Sequence, residues 1–125
     1  VTSGNRYLLD TNYILGLLKS SPRVQEDAVS RGLLIEQCAY SVITRIELLG
    51  FPGISEGESR LINQKLQQLT FLPLAEFVEK RTIRLRQTRR IKLPDAIIAA
   101  TALEHGLELL TFDQKLAAVV PPPTQ

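Results

Sequence analysis

Hydrophobic positions along the chain follow two rhythms. Short, uninterrupted apolar stretches occur at Tyr7 to Leu9, Cys38 to Val42, Thr70 to Leu74 and Leu107 to Thr111. They are too short for helices and read as strands buried on both faces. Between them the apolar residues recur with helical spacing. Ile14, Leu15, Leu17 and Leu18 suit a short helix starting at Asn12. Ser21-Pro22 is an N-cap followed by proline at the first helical position, and Gly32 is the matching stop. Thr44-Arg45-Ile46-Glu47 has capping-box spacing and opens a third helix; Ser55 to Glu58 repeats it ahead of a helix through Leu69. Ala75 to Ile91 reads as one long helix, Pro94 to His105 as another ended by Gly106, and a short helix follows a turn at Asp113.

Apolar strands alternating with helices are the pattern of a mainly parallel sheet covered on both faces. The expected fold is a three-layer α/β/α sandwich with four or five short strands. Residues 1–120 are expected to form one domain, since 125 residues leave no room for two independent cores. Pro121-Pro122-Pro123 can neither continue a helix nor join a ladder, so 121–125 is expected to be a disordered tail.

In such a sheet the helices return antiparallel to the strands, so helix starts and strand ends share one edge, where ligands bind. Four acids fall there. Asp10 ends the first strand, Glu47 lies in the first turn after the second, Asp95 opens the helix before the last strand, and Asp113 follows that strand. Each has an ordinary structural use as a cap or a complement to a helix dipole. Together they would repel one another and raise each other's pKa unless a cation neutralised them.

Composition narrows the cation. One Cys and one His exclude an internal disulfide and a Cys-rich zinc site, so a metal would be held mainly by oxygen. That favours Mg²⁺ or Mn²⁺, and an acid cluster around such an ion suits phosphate-ester chemistry. No apolar run approaches a membrane span, and with no secretory signal visible the expected location is cytoplasmic.

Net charge, +2, says little as a total, but its distribution says more. Lys80, Arg81, Arg84, Arg86, Arg89, Arg90 and Lys92 place seven of fifteen basic residues in one stretch leading into Asp95. This is either a solvated helical face or a surface that guides an RNA backbone, with Arg84, Arg86, Arg89, Arg90 and Lys92 as candidates. A third use is contact with an acidic protein segment. His105, beside the Gly106 stop, suits the negative end of a helix dipole, and Cys38 reads as a small core residue.

Four segments carry a resemblance: YLLDTNYILGLL from Tyr7, SVITRIELLG from Ser41, LPDAIIAATAL from Leu93 and LLTFD from Leu109. In this order they resemble PIN-domain proteins, most closely the VapC-like toxins of toxin–antitoxin pairs. The resemblance implies an Mg²⁺- or Mn²⁺-dependent endoribonuclease, with Asp10, Glu47, Asp95 and Asp113 as catalytic and metal-binding acids. It further implies that Asn12 orients the first carboxylate or a water, and that Thr44 and Thr111 are supporting hydroxyls. A cognate antitoxin, contacted through Phe51 and Ile54, and a homodimer are implied as partners. Many relatives carry a second acid and a Phe after the last aspartate; this chain has Gln114, Lys115 and Leu116, removing one possible ligand. A PIN-like module that binds RNA or protein without cleaving is the alternative reading. A receiver domain or phosphohydrolase is disfavoured, because Asp10-Thr11-Asn12 lacks the second aspartate of an Asp-x-Asp nucleophile motif.

Overall fold

One four-stranded sheet, all parallel, forms the middle layer. A computed structural model describes residues 4–123. Its strands are β1 (Tyr7–Leu9), β2 (Cys38–Ser41), β3 (Thr70–Leu72) and β4 (Glu108–Leu110), lying side by side in the order β3-β2-β1-β4. Its helices are α1 (Thr11–Leu18), α2 (Pro22–Arg31), α3 (Val42–Leu49), α4 (Glu56–Gln67), α5 (Glu76–Thr88), α6 (Leu93–Glu104) and α7 (Gln114–Val119). A 3-10 turn, Ile35–Gln37, precedes β2. The tail expected over 121–125 is irregular and exposed at 121–123; Thr124 and Gln125 lie outside the described residues, as do Val1, Thr2 and Ser3.

Strand alternation divides the core into two layers. Leu8, Ala39, Leu72 and Leu109 point to one face, where Val78, Leu85, Ile98, Ala99 and Leu116 from α5, α6 and α7 cover them. Tyr7, Leu9, Cys38, Tyr40 and Leu110 point to the other, against Tyr13, Ile14, Val24, Ile62 and Leu66 from α1, α2 and α4. Both faces of the sheet are therefore dry, as the uninterrupted apolar strands require. Helix α6 is buried almost all round, and its small Ala96, Ala99, Ala100 and Ala102 let it lie close to the sheet and α5.

Two boundaries differ from the sequence expectation in ways that matter for the site. Helix α3 starts at Val42, two residues before Thr44, because Ser41 takes the N-cap and its Oγ accepts the Thr44 N–H at 3.3 Å. Glu47 therefore lies in the second turn, and Thr44 is a buried helical residue rather than a cap. Helix α5 ends at Thr88 instead of Ile91. Helices α5 and α6 pack side by side, so the short connection between them must reverse direction. Arg89 and Lys92 are accordingly extended, and the Lys92 carbonyl accepts the Ala96 N–H as α6 begins. Of the expected stops, Gly32 holds φ +61°, the left-handed C-cap that only glycine adopts without strain.

Candidate functional site

The chain builds the sheet outward on one side of β1 and then returns to place β4 on the other. This reversal lies between β1 and β4, and a crevice opens beyond their carboxyl ends. Asp10 follows β1 directly. Its Oδ1 accepts the Thr11 N–H at 2.8 Å, which caps α1, and its Oδ2 accepts the Thr111 hydroxyl at 2.7 Å. Thr111 Oγ1 in turn accepts the Asp113 N–H at 3.0 Å. The Asp113 carboxylate caps α7, accepting the N–H groups of Lys115 and Leu116 at 3.0 and 3.2 Å.

On the other flank, Thr11 Oγ1 donates to Glu47 Oε1 at 2.6 Å and lies 3.1 Å from the buried Thr44 hydroxyl. One hydroxyl has one proton, so Thr44 supplies the proton for the second contact. The sequence singled out Asn12 and passed over Thr11. Asn12 is exposed on α1 and makes no hydrogen bond to Asp10 among the described residues. Only the packing of α1 against α3 reveals that Thr11 joins Glu47 to Asp10.

Asp95 lies in the first turn of α6, half-buried. Burial raises its pKa above the usual carboxylate value, and the charges of Asp113, Asp10 and Glu47 raise it further, against a smaller opposing effect from Lys92. Asp95 thus lies in the repulsive field of the other three acids. The four offer oxygen donors alone, the set that suits a hard divalent cation. As they lie, no three His, Cys, Asp or Glu side chains among the described residues are close enough to hold one ion together. Asp10, Glu47 and Asp113 are each turned toward their own hydrogen-bond partners.

The basic stretch separates into distinct roles. Lys80 pairs with Glu76 at 3.3 Å and Arg81 with Glu104 at 2.6 Å. Arg84 is exposed on α5. Arg86 Nη1 donates to the Ile91 carbonyl at 3.1 Å, bracing the connection beyond its own helix. Arg89, Arg90 and Lys92 line a cavity of about 490 Å³ whose other walls include Asp95, Asp113 and Lys115. On the opposite flank, beside Glu47, an apolar groove of about 160 Å³ is formed by Leu15, Leu48, Phe51, Ile54 and Ile62. His105 lies at the other end of α6 from Asp95, with its ring 5.3 Å from that of Phe77.

The all-parallel sheet and the helices that cover it are those of a known class. The PIN domain model matches residues 7–120, and the chain belongs to the PIN-domain family. Within that family it resembles toxins. It is 31% identical over 121 residues to Toxin FitB of Neisseria gonorrhoeae, an alignment covering 85% of this chain and 86% of that one. A toxin–antitoxin complex from Klebsiella pneumoniae contains a chain that matches at TM-score 0.77 and 29% identity, over 95% of this chain and 96% of that chain. FitAcB from Neisseria gonorrhoeae matches at TM-score 0.74 and 27% identity, over 94% of each. Among the described residues no helix is long and apolar enough to cross a membrane.

Proposed function

We propose that this chain is a divalent-metal-dependent endoribonuclease, the toxin of a toxin–antitoxin pair. The observation that carries the reading is the convergence of Asp10, Glu47, Asp95 and Asp113 beyond the ends of β1 and β4, close enough to raise the Asp95 pKa. Such repulsion is tolerable where a cation belongs. Asp10, Glu47, Asp95 and Asp113 would hold Mg²⁺ or Mn²⁺, which supplies Lewis acidity toward a phosphodiester.

The chain's own groups account for the rest. Thr111 and the start of α1 orient the Asp10 carboxylate, and Thr11, backed by Thr44, orients that of Glu47. Asp95 has its pKa raised by burial and by its acidic neighbours, a penalty on the ionised form that a bound cation would relieve. Asn12 is exposed and makes no side-chain hydrogen bond among the described residues, which leaves its amide for a water or the substrate. Arg84, Arg89, Arg90 and Lys92 draw the RNA backbone toward the acids, while Arg86 shapes their connection.

The groove beside Glu47 takes an apolar segment of the cognate antitoxin, with Phe51, 66% exposed, and half-buried Ile54 in contact. The chain's similarity to components of toxin–antitoxin complexes supports this partner. A homodimer and a cytoplasmic location complete the reading, the former checked by light scattering of the purified chain.

Cleavage of a panel of RNAs by the wild type, Asp10→Asn and Asp95→Asn, each with Mn²⁺ and with chelator, tests the proposal. Cleavage is expected from the wild type with Mn²⁺ alone. Equal cleavage by all three proteins would indicate a contaminating nuclease. RNA binding without cutting would leave a scaffold.

A further inference from the structure

The candidate centre has two unlike flanks, and their difference points to how substrate lies across it. Beside Glu47 the groove is mainly apolar, with Lys19 and Glu58 the other charged residues in its lining. Beside Asp95 and Asp113 lies a cavity of about 490 Å³ walled by Arg89, Arg90, Lys92 and Lys115. Among the described residues none of these four cations is in an ion pair. Three sit on the α5–α6 connection, which Arg86 holds through the Ile91 carbonyl, and the fourth comes from α7.

Four unpaired cations around one concavity make a site for an anion. Asp95 and Asp113 also line it, so an anion sits toward the cations and away from these carboxylates. The volume lies in the range of small-molecule pockets and suits one nucleotide.

We propose that this cavity is a subsite for the nucleotide next to the scissile bond, with Lys115 from α7 and Lys92 from the α5–α6 connection gripping its backbone phosphate. The proposal rests on the ribonuclease reading and extends it to a residue, Lys115, that the basic stretch does not contain. RNA therefore crosses the centre in one direction, from the basic cavity over the acids, and the apolar flank is left to a protein. Lys115 is a binding residue here. Its backbone N–H, not its side chain, serves the α7 cap, so truncating the side chain leaves the fold intact.

The test uses a single-stranded oligoribonucleotide whose phosphates are replaced one at a time by neutral methylphosphonate. Binding is measured by fluorescence anisotropy with the uncleaving Asp10→Asn chain, alone and combined with Lys115→Ala, Lys115→Arg or Lys80→Ala. Lys115→Ala is expected to weaken binding several-fold and to lower the salt slope by about 0.7, the share of one single-strand phosphate contact. It should also become insensitive to neutralisation of one particular phosphate. Lys115→Arg should restore that sensitivity, and Lys80→Ala, already paired with Glu76, should change nothing. An unchanged salt slope and phosphate scan for Lys115→Ala, with wild type still cutting RNA in Mn²⁺, would overturn this proposal alone. A wild type that neither binds nor cuts RNA would overturn both readings. Intact RNA binding with loss of a co-purifying partner protein would assign the cavity to that partner and overturn it as well.

Discussion

Thr111 Oγ1 donates to Asp10 Oδ2 at 2.7 Å across 101 residues of sequence. The same oxygen accepts the Asp113 N–H, so one hydroxyl sets the position of two acids. Partners of this kind around metal-binding carboxylates typically contribute about 10–100-fold to metal affinity or activity. Thr111→Val is expected to lower Mn²⁺-dependent cleavage in that range and raise the Mn²⁺ concentration needed for half-maximal rate. Thr111→Ser should keep both near wild type. A Thr111→Val rate equal to wild type at limiting Mn²⁺ would refute the role.

Asp95 has its pKa raised by burial and by its acidic neighbours. A raised folded-state pKa means that the ionised form is disfavoured in the fold, so stability falls as pH rises through the titration. Asp95→Asn removes that penalty. In chelator at pH 7 the variant should melt above wild type, and the gap should close as pH drops into the acid range. Mn²⁺ should raise the Tm of wild type and do so less for the variant, which calorimetry reads directly.

Asp27 behaves oppositely. Burial alone would raise its pKa, but hydrogen bonds from the Tyr13 hydroxyl (2.7 Å) and Arg31 Nε (2.8 Å), with the Arg31 charge, outweigh it and the net shift is downward. Its contribution is therefore fully present above the ordinary carboxylate range and is lost as pH falls through the depressed value. Asp27→Ala should cost about 1–2 kcal/mol at pH 7. Urea unfolding at pH 7 and at pH 3 should show the difference shrinking in acid.

Gly16 faces Val24 where α1 crosses α2, and an added Cβ would overlap the Val24 side chain. Gly16→Ala should destabilise the fold by about 1–3 kcal/mol, the usual cost of overpacking a core contact. A second change, Val24→Ala, should recover part of it in a double-mutant cycle.

Phe51 is exposed at the mouth of the apolar groove. Phe51→Glu is expected to leave RNA cleavage by the isolated chain unchanged while weakening inhibition by the antitoxin at least tenfold. Inhibition curves against the co-expressed partner measure both.

Sequence pattern carried the architecture because both faces of the sheet are dry: apolar runs such as Tyr7 to Leu9 admit no half-solvated alternative. The end of α5 was not legible in the same way. Helical propensity alone runs on to Ile91, whereas the reversal into α6 stops the helix at Thr88. At the start of α3, Ser41 and Thr44 are both good caps, and the length of β2 decided between them.

By itself the sequence determined which residue types could do chemistry here and at which end of the elements they fall. Strand ends and helix starts are local properties, written in runs, caps and stops, so Asp10, Asp95 and Asp113 could be assigned to one edge. The tertiary structure alone decided which side chains come together: Thr111 with Asp10, Thr11 with Glu47, and Lys115 in the lining of the same cavity as Lys92. Those contacts join segments far apart in the chain. Their geometry depends on strand order and helix packing, which no local pattern encodes.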